Sequence, residues 1–166
     1  MRGKEVFRYP HPTNEVTARL VAGMVALLGG GILVFDLPGL LPLLVFGFAA
    51  RVVAGPTFSP MAQLARRVLL PALGNPHRPT AGPPKRFAQG IGLVVSGSAM
   101  ISWLALGQVA VGRGLLGVLV LFATLEAALG FCAGCVVFRR LMRWGWIPQE
   151  TCERCNNLTF PARNPA

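Results

Sequence analysis

Residues Leu115–Phe138 read LLGVLVLFATLEAALGFCAGCVVF, and Arg139, Arg140 and Arg143 follow at once. At ~1.5 Å per residue this run of 24 makes a helix about 36 Å long, enough to cross the roughly 30 Å hydrocarbon core of a bilayer. Two features distinguish it from a plain lipid anchor. Glu126 stands near its middle, where a carboxylate costs several kcal/mol unless it is neutral or paired, so it is expected to face other helices. Cys132 and Cys135 are three apart, on one helical face and within about 10 Å of the arginine-marked end. Cys152 and Cys155 follow beyond that end, so all four cysteines lie in the last 35 residues.

Working outward, the whole chain has this apolar character. Of 166 residues 53% are hydrophobic and 13% charged, against about a quarter charged in a soluble domain. The apolar residues come in long runs that no soluble core of this size can hide, which predicts a polytopic membrane protein. The net charge of +10 flanks those runs and forms no aromatic-studded basic face, so it points to anionic lipid and membrane topology and away from nucleic acid. Arg2, Lys4 and Arg8 precede the apolar run Leu20–Phe35, but no small-residue cleavage site follows it, so the run is expected to be retained as a span.

The predicted fold is an all-α, single-domain bundle of four transmembrane helices over residues 1–166, with spans at about 17–35, 38–54, 87–111 and 115–138. Asp36-Leu37-Pro38-Gly39 and Gly112-Arg113-Gly114 read as turns. Gly29-Gly30-Gly31 permits close backbone contact between helices. Between the second and third spans, Met61, Leu64, Val68 and Leu69 recur at helical spacing opposite Gln63, Arg66 and Arg67. That pattern predicts a short amphipathic interfacial helix. A proline-rich basic loop follows, and residues 139–166 form a tail with the second cysteine pair.

Four spans place residues 1–16, 55–86 and 139–166 on one side. That side, with Arg19 and Arg51 just inside it, carries every Lys and Arg of the 16 except Arg113. The positive-inside rule makes it cytoplasmic, with both termini there, in a bacterial cytoplasmic membrane.

Cys132-Ala133-Gly134-Cys135 is a CxxC, and thiolates at such a motif attack disulfides or carry sulfane sulfur when a cation or polar opening generates them. Arg51 and Cys135 fall at similar depth by helical rise, so the guanidinium is expected to stabilise a Cys135 thiolate. Packing is the competing explanation, with Gly130 and Gly134 as a small-xxx-small contact. Cys152-Glu153-Arg154-Cys155 lies in a polar segment where packing explains nothing. The two pairs together read C-x2-C-x16-C-x2-C, which also fits a four-thiolate zinc site. A reducing cytoplasm disfavours a standing structural disulfide.

Glu126 and Ser98 lie at comparable depth in their spans, so a mid-membrane hydrogen bond between them is expected, serving a proton or substrate site or tying two helices together. Arg78, Lys85 and Arg86 form a basic cluster for an anion or a lipid headgroup. His11 and His77 have no partner at ligand spacing.

Pro83-Pro84-Lys85-Arg86-Phe87-Ala88-Gln89-Gly90-Ile91-Gly92, Leu125-Glu126-Ala127-Ala128-Leu129-Gly130-Phe131-Cys132-Ala133-Gly134-Cys135 and Gly55-Pro56-Thr57-Phe58-Ser59 resemble an uncharacterised family of small bacterial, often actinobacterial, membrane proteins known only as a domain of unknown function. The resemblance covers nearly the whole chain, and members are often encoded beside thiosulfate sulfurtransferases and thioredoxin-like proteins. It implies thiol or sulfur handling with such a cytoplasmic partner, and names no cofactor and no catalytic residue. Two expectations of different class result. In one, the protein passes sulfane sulfur or reducing equivalents, or imports a small sulfur oxyanion, through Cys132, Cys135, Cys152 and Cys155. In the other it is a scaffold or accessory subunit whose cysteines pack or hold zinc. Either leaves room for a homo-oligomer.

Overall fold

The structure, a computed structural model, describes residues 13–55, 58–76, 79–80 and 82–145. Asn14 starts the first helix. Its Oδ1 accepts the Val16 N–H at 3.0 Å while its Nδ2 donates to the Pro76 carbonyl at 2.9 Å, which caps the helix and ties its start to a distant loop at Pro76. Helix α1 runs Glu15–Phe35 and stops at Asp36, in the left-handed conformation at φ 53°. Pro38 opens a single 3-10 turn, Pro38–Leu40, which feeds α2, Leu41–Ala54. Helix α3 is α-helical over Pro60–Leu64, widens to a π-helix over Ala65–Leu69, and closes with Leu70–Ala72. Helix α4 is Gly82–Met100 with a π-helical end, Ile101–Ala105. Helix α5 is Val109–Leu129 and α6 is Ala133–Arg143. A two-residue antiparallel pair, β1 (Thr13–Asn14) with β2 (Pro79–Thr80), matches Thr13 to Thr80 and Asn14 to Pro79.

Contacts at both ends set the helix directions. Arg19, early in α1, bonds carbonyls at the end of α5, and Asp36, just past α1, meets Arg113 near the start of α5 at 2.7 Å. Arg86 Nε, at the start of α4, donates to the Val52 carbonyl near the end of α2 at 3.1 Å. Helices α1 and α4 therefore run one way, α2 and α5 the other. Val25, Ile32, Leu44, Phe48, Trp103 and Leu116 fill the space between them. Outward, Leu27, Phe35, Phe46, Val94 and Leu121 are exposed, an apolar surface that lipid covers and water would not tolerate.

Glu15–Phe35, Pro84–Ala105 and Val109–Leu129 are long and apolar enough to cross a membrane, and Pro38–Ala54 is a shorter apolar helix. The all-α expectation holds, but the later helix boundaries differ from those expected. The helix expected over 87–111 ends at Ala105, and the one expected over 115–138 is two, Val109–Leu129 and Ala133–Arg143, because the expected turn Gly112-Arg113-Gly114 lies inside α5. A Cβ on Gly112 would stand 2.7 Å from Trp103 Cβ and 3.0 Å from the Ala99 carbonyl, so Gly112 lets α5 lie close against α4. The chain turns instead at Gly107, φ 65°. A short helix is present where the amphipathic one was expected, as α3, but its packed face is Ala62 and Ala65 against Val21, with Leu64 and Val68 exposed.

Candidate functional site

The site is built where α5 is made to stop. Gly130 takes φ 70°, a left-handed cap that L side chains avoid. Its N–H reaches the Glu126 carbonyl at 3.0 Å and the Phe131 N–H reaches Leu125 O at 3.4 Å. Arg19 takes the next two carbonyls, Nε to Ala127 O at 3.2 Å and Nη2 to Ala128 O at 2.5 Å. The end of an apolar helix, costly if its carbonyls were bare among lipid, is thus satisfied.

The break turns the CxxC from a mid-helix pattern into a helix start. Cys132 is the N-cap of α6, with extended backbone at φ −99° and ψ 104°. The N–H groups of Cys135 and Val136 donate to its carbonyl at 3.1 and 3.2 Å. Cys135 sits in the first turn, close enough for a hydrogen bond between the two thiols to set which ionises first. That bond draws the Cys132 thiol below its ordinary range, with burial acting in opposition. Cys135, as the donor, is pushed up by the same bond and by burial. The positive end of α6 favours a thiolate at Cys132 as well. Both cysteines are free thiols, half-buried.

Helix α6 is pinned back onto α4. A Cβ on Gly134 would fall 2.6 Å from Ala88 Cα, so Gly134 is the close contact and Gly130 is the cap. The Phe138 and Phe87 rings meet at 5.5 Å between centroids. This places Lys85, at the start of α4, near the dithiol: its Nζ lies 3.8 Å from Glu126 Oε1, and both charges act on both thiols.

The expected neighbours are therefore rearranged. Glu126 is near the end of α5, not mid-span, and its partner is Lys85. Ser98 lies thirteen residues beyond Lys85, about 20 Å along α4 at ~1.5 Å per residue, and does not reach it. The buried serine of that helix is Ser96, which donates to Leu93 O at 3.2 Å. Arg51 is 4% exposed; its Nε donates to Gln89 Oε1 at 2.8 Å, and its Cζ lies 4.5 Å from the centre of the Phe48 ring. The cation acting on the cysteines is Lys85, which favours the thiolate at both, and the interaction between the two thiols makes Cys132 the favoured one. Of the expected anion cluster, Lys85 is buried against Glu126 and Arg86 is held by Val52. Arg78, Cys152 and Cys155 lie outside the described residues, as do His11 and His77. Among the described residues, no three His, Cys, Asp or Glu side chains are grouped to hold a metal.

A cavity of about 260 Å³ lies between α1, α2, α4, α5 and α6. Its walls are apolar, and Arg51, Gln89, Glu126 and Cys132 form its polar end. The sequence shows Gln89 as a polar residue in an apolar run but not its place at this site, nor the pairing role of Lys85. The signal for the pair was a cation opening one helix and an acid closing the antiparallel one.

Fold and site together define a helical bundle with three membrane-length helices and a dithiol at the start of a short amphipathic helix, set over an internal cavity. Residues 13–143 match the family described as a domain of unknown function (DUF4395), and the chain belongs to that family. No curated protein and no solved structure matches the chain.

Proposed function

We infer that this is a four-crossing protein of a bacterial cytoplasmic membrane, both termini cytoplasmic, whose Cys132–Cys135 dithiol exchanges reducing equivalents or sulfane sulfur with a cytoplasmic thioredoxin-like protein or sulfurtransferase. The observation that carries the reading is Cys132 at the N-cap of α6, with Cys135 in the first turn giving its backbone N–H to the Cys132 carbonyl at 3.1 Å. A thiolate so placed attacks one sulfur of a partner disulfide, and the partner's other sulfur leaves and takes a proton. Cys135 then loses its proton and attacks Cys132, forming the internal disulfide and releasing the partner's second thiol.

The orientation draws on charge. Exposed Arg66, Arg67, Arg139, Arg140 and Arg143 lie at the dithiol end, whereas Arg113 at the other end is neutralised by Asp36. The apolar cavity walls favour thiol exchange over oxyanion import. The competing reading, a scaffold with zinc on all four cysteines, rests on the C-x2-C-x16-C-x2-C spacing.

Thiol trapping in cells with the four single Cys→Ser variants tests the proposal. Cys135→Ser should accumulate a mixed disulfide or persulfide through Cys132, and Cys132→Ser should not. About one zinc per purified chain, with thiols closed to alkylation, would support the scaffold instead.

A further inference from the structure

The cavity beside Cys132 opens through a rim of Ile91, Val118, Phe122 and Val137, which are 37, 49, 42 and 44% exposed. These side chains belong to the outward apolar surface of α4, α5 and α6. A mouth of this kind admits molecules dissolved among acyl chains and offers nothing to a hydrophilic solute. From Val118 to Glu126 the cavity extends eight residues along α5, about 12 Å at ~1.5 Å per residue. Its 260 Å³ falls just under the roughly 300–1,000 Å³ of drug-sized sites, so it holds a substituted ring while a long tail stays in the lipid.

The inner end supplies hydrogen-bond donors. Arg51 gives its Nε to Gln89 Oε1, and that bond orients the amide so that its NH2 is the group left to donate. Beside them stands the Cys132 thiol, while Cys135 is set back in the first turn of α6. The site thus asks for an apolar ring, arriving from lipid, that carries a neutral oxygen acceptor and faces a sulfur.

We propose that this cavity binds the head group of a membrane quinone, which oxidises the Cys132–Cys135 dithiol while the Gln89 amide, oriented by Arg51, donates to a ring carbonyl. The proposal rests on the dithiol reading above and names its membrane-side co-reactant. The step balances: two S–H bonds break and one S–S bond forms, and the two electrons and two protons pass to the ring, whose two carbonyls become hydroxyls. A cytoplasmic dithiol then reduces the disulfide by the exchange described above run in reverse, so electrons flow from cytoplasmic thiols to the quinone pool.

The test uses full-length protein, reduced, freed of reductant and held in detergent. Its oxidants are decylubiquinone, whose fully substituted ring resists lasting arylation by thiols, and oxidised glutathione as the aqueous comparison. The expected result is one quinone reduced per Cys132–Cys135 disulfide, at a rate that saturates with quinone. Val118→Phe, which fills the mouth, and Ala123→Leu, which fills the inner wall, should each lower the ratio of quinone rate to glutathione rate by about tenfold or more. Two variants on different parts of the wall keep the test decisive if one fails to fold. A rate linear in quinone with unchanged ratios in both variants would overturn the proposal, as would a disulfide formed with glutathione only. A disulfide formed with neither oxidant would remove the dithiol reading itself.

Discussion

Glu126 and Lys85 face each other across the α4–α5 seam, Oε1 to Nζ at 3.8 Å, with side chains 17% and 10% exposed. Each is costly to leave without the other in so dry a place. Lys85→Met should therefore lower stability by roughly 3 kcal/mol, and Lys85→Met with Glu126→Leu should recover most of it. Thermal unfolding in detergent, followed by tryptophan fluorescence, reads both. Additive losses in the double variant would mean that the pair is not coupled.

The asymmetry of the dithiol predicts an order of reaction. Cys132 is held below, and Cys135 above, the ordinary thiol range, chiefly by the hydrogen bond between them. At neutral pH more of Cys132 than of Cys135 is thiolate, and this relative advantage fades only as pH rises past the Cys132 pKa. In a Cys152→Ser, Cys155→Ser background, iodoacetamide should label Cys132 several-fold faster than Cys135 near pH 7. The gap should close at strongly alkaline pH, where both ionise. Cys135→Ala removes the donor and should slow Cys132 at neutral pH only. Equal labelling at pH 7 would contradict the assignment.

The end of α5 should be equally sensitive. Arg19→Gln strips the donors from Ala127 and Ala128, at a cost of about 1–3 kcal/mol. Gly130→Ala forces an L side chain to φ 70° with its Cβ 3.1 Å from Glu15 Oε1, at a cost of about 1–2 kcal/mol. In both variants hydrogen exchange should quicken over residues 126–135 while α2 stays protected. Uniform loss of protection would mean that this turn is not a local device.

Topology reporters fused at residue 38 and at residue 107 should read outside, and one near residue 75 inside. A cytoplasmic reading at residue 107 would overturn the four-crossing proposal, in which α2 crosses despite its length.

Much of the fold was legible in the sequence, because apolar runs, the Asp36–Gly39 turn and the distribution of arginine follow from the solvent. Glycine was the difficulty. Gly112 looks like a turn and is a helix contact against Trp103; Gly130 looks like a helix contact and is a cap; only Gly134 is the contact it was taken for, and against Ala88. Spacing cannot separate these uses, since each depends on what lies across from the missing Cβ. Misreading Gly130 also hid the start of α6, and with it the reason that Cys132 and not Cys135 is the favoured thiolate. The CxxC itself and Glu126 were found from residue type and position. Their true partner, Lys85, was read as part of an anion-binding cluster because nothing local shows that Lys85 is buried.

The central claim is that Cys132 and Cys135 form a reversible dithiol couple. Its most direct test is equilibration of purified Cys152→Ser, Cys155→Ser protein in graded glutathione redox buffers, followed by acid quench, alkylation and mass spectrometry. The account predicts one cooperative two-electron transition in which both cysteines lose alkylation together, abolished by either Cys132→Ser or Cys135→Ser. Two thiols that stay alkylatable across the whole series, or that form glutathione adducts independently, would contradict it.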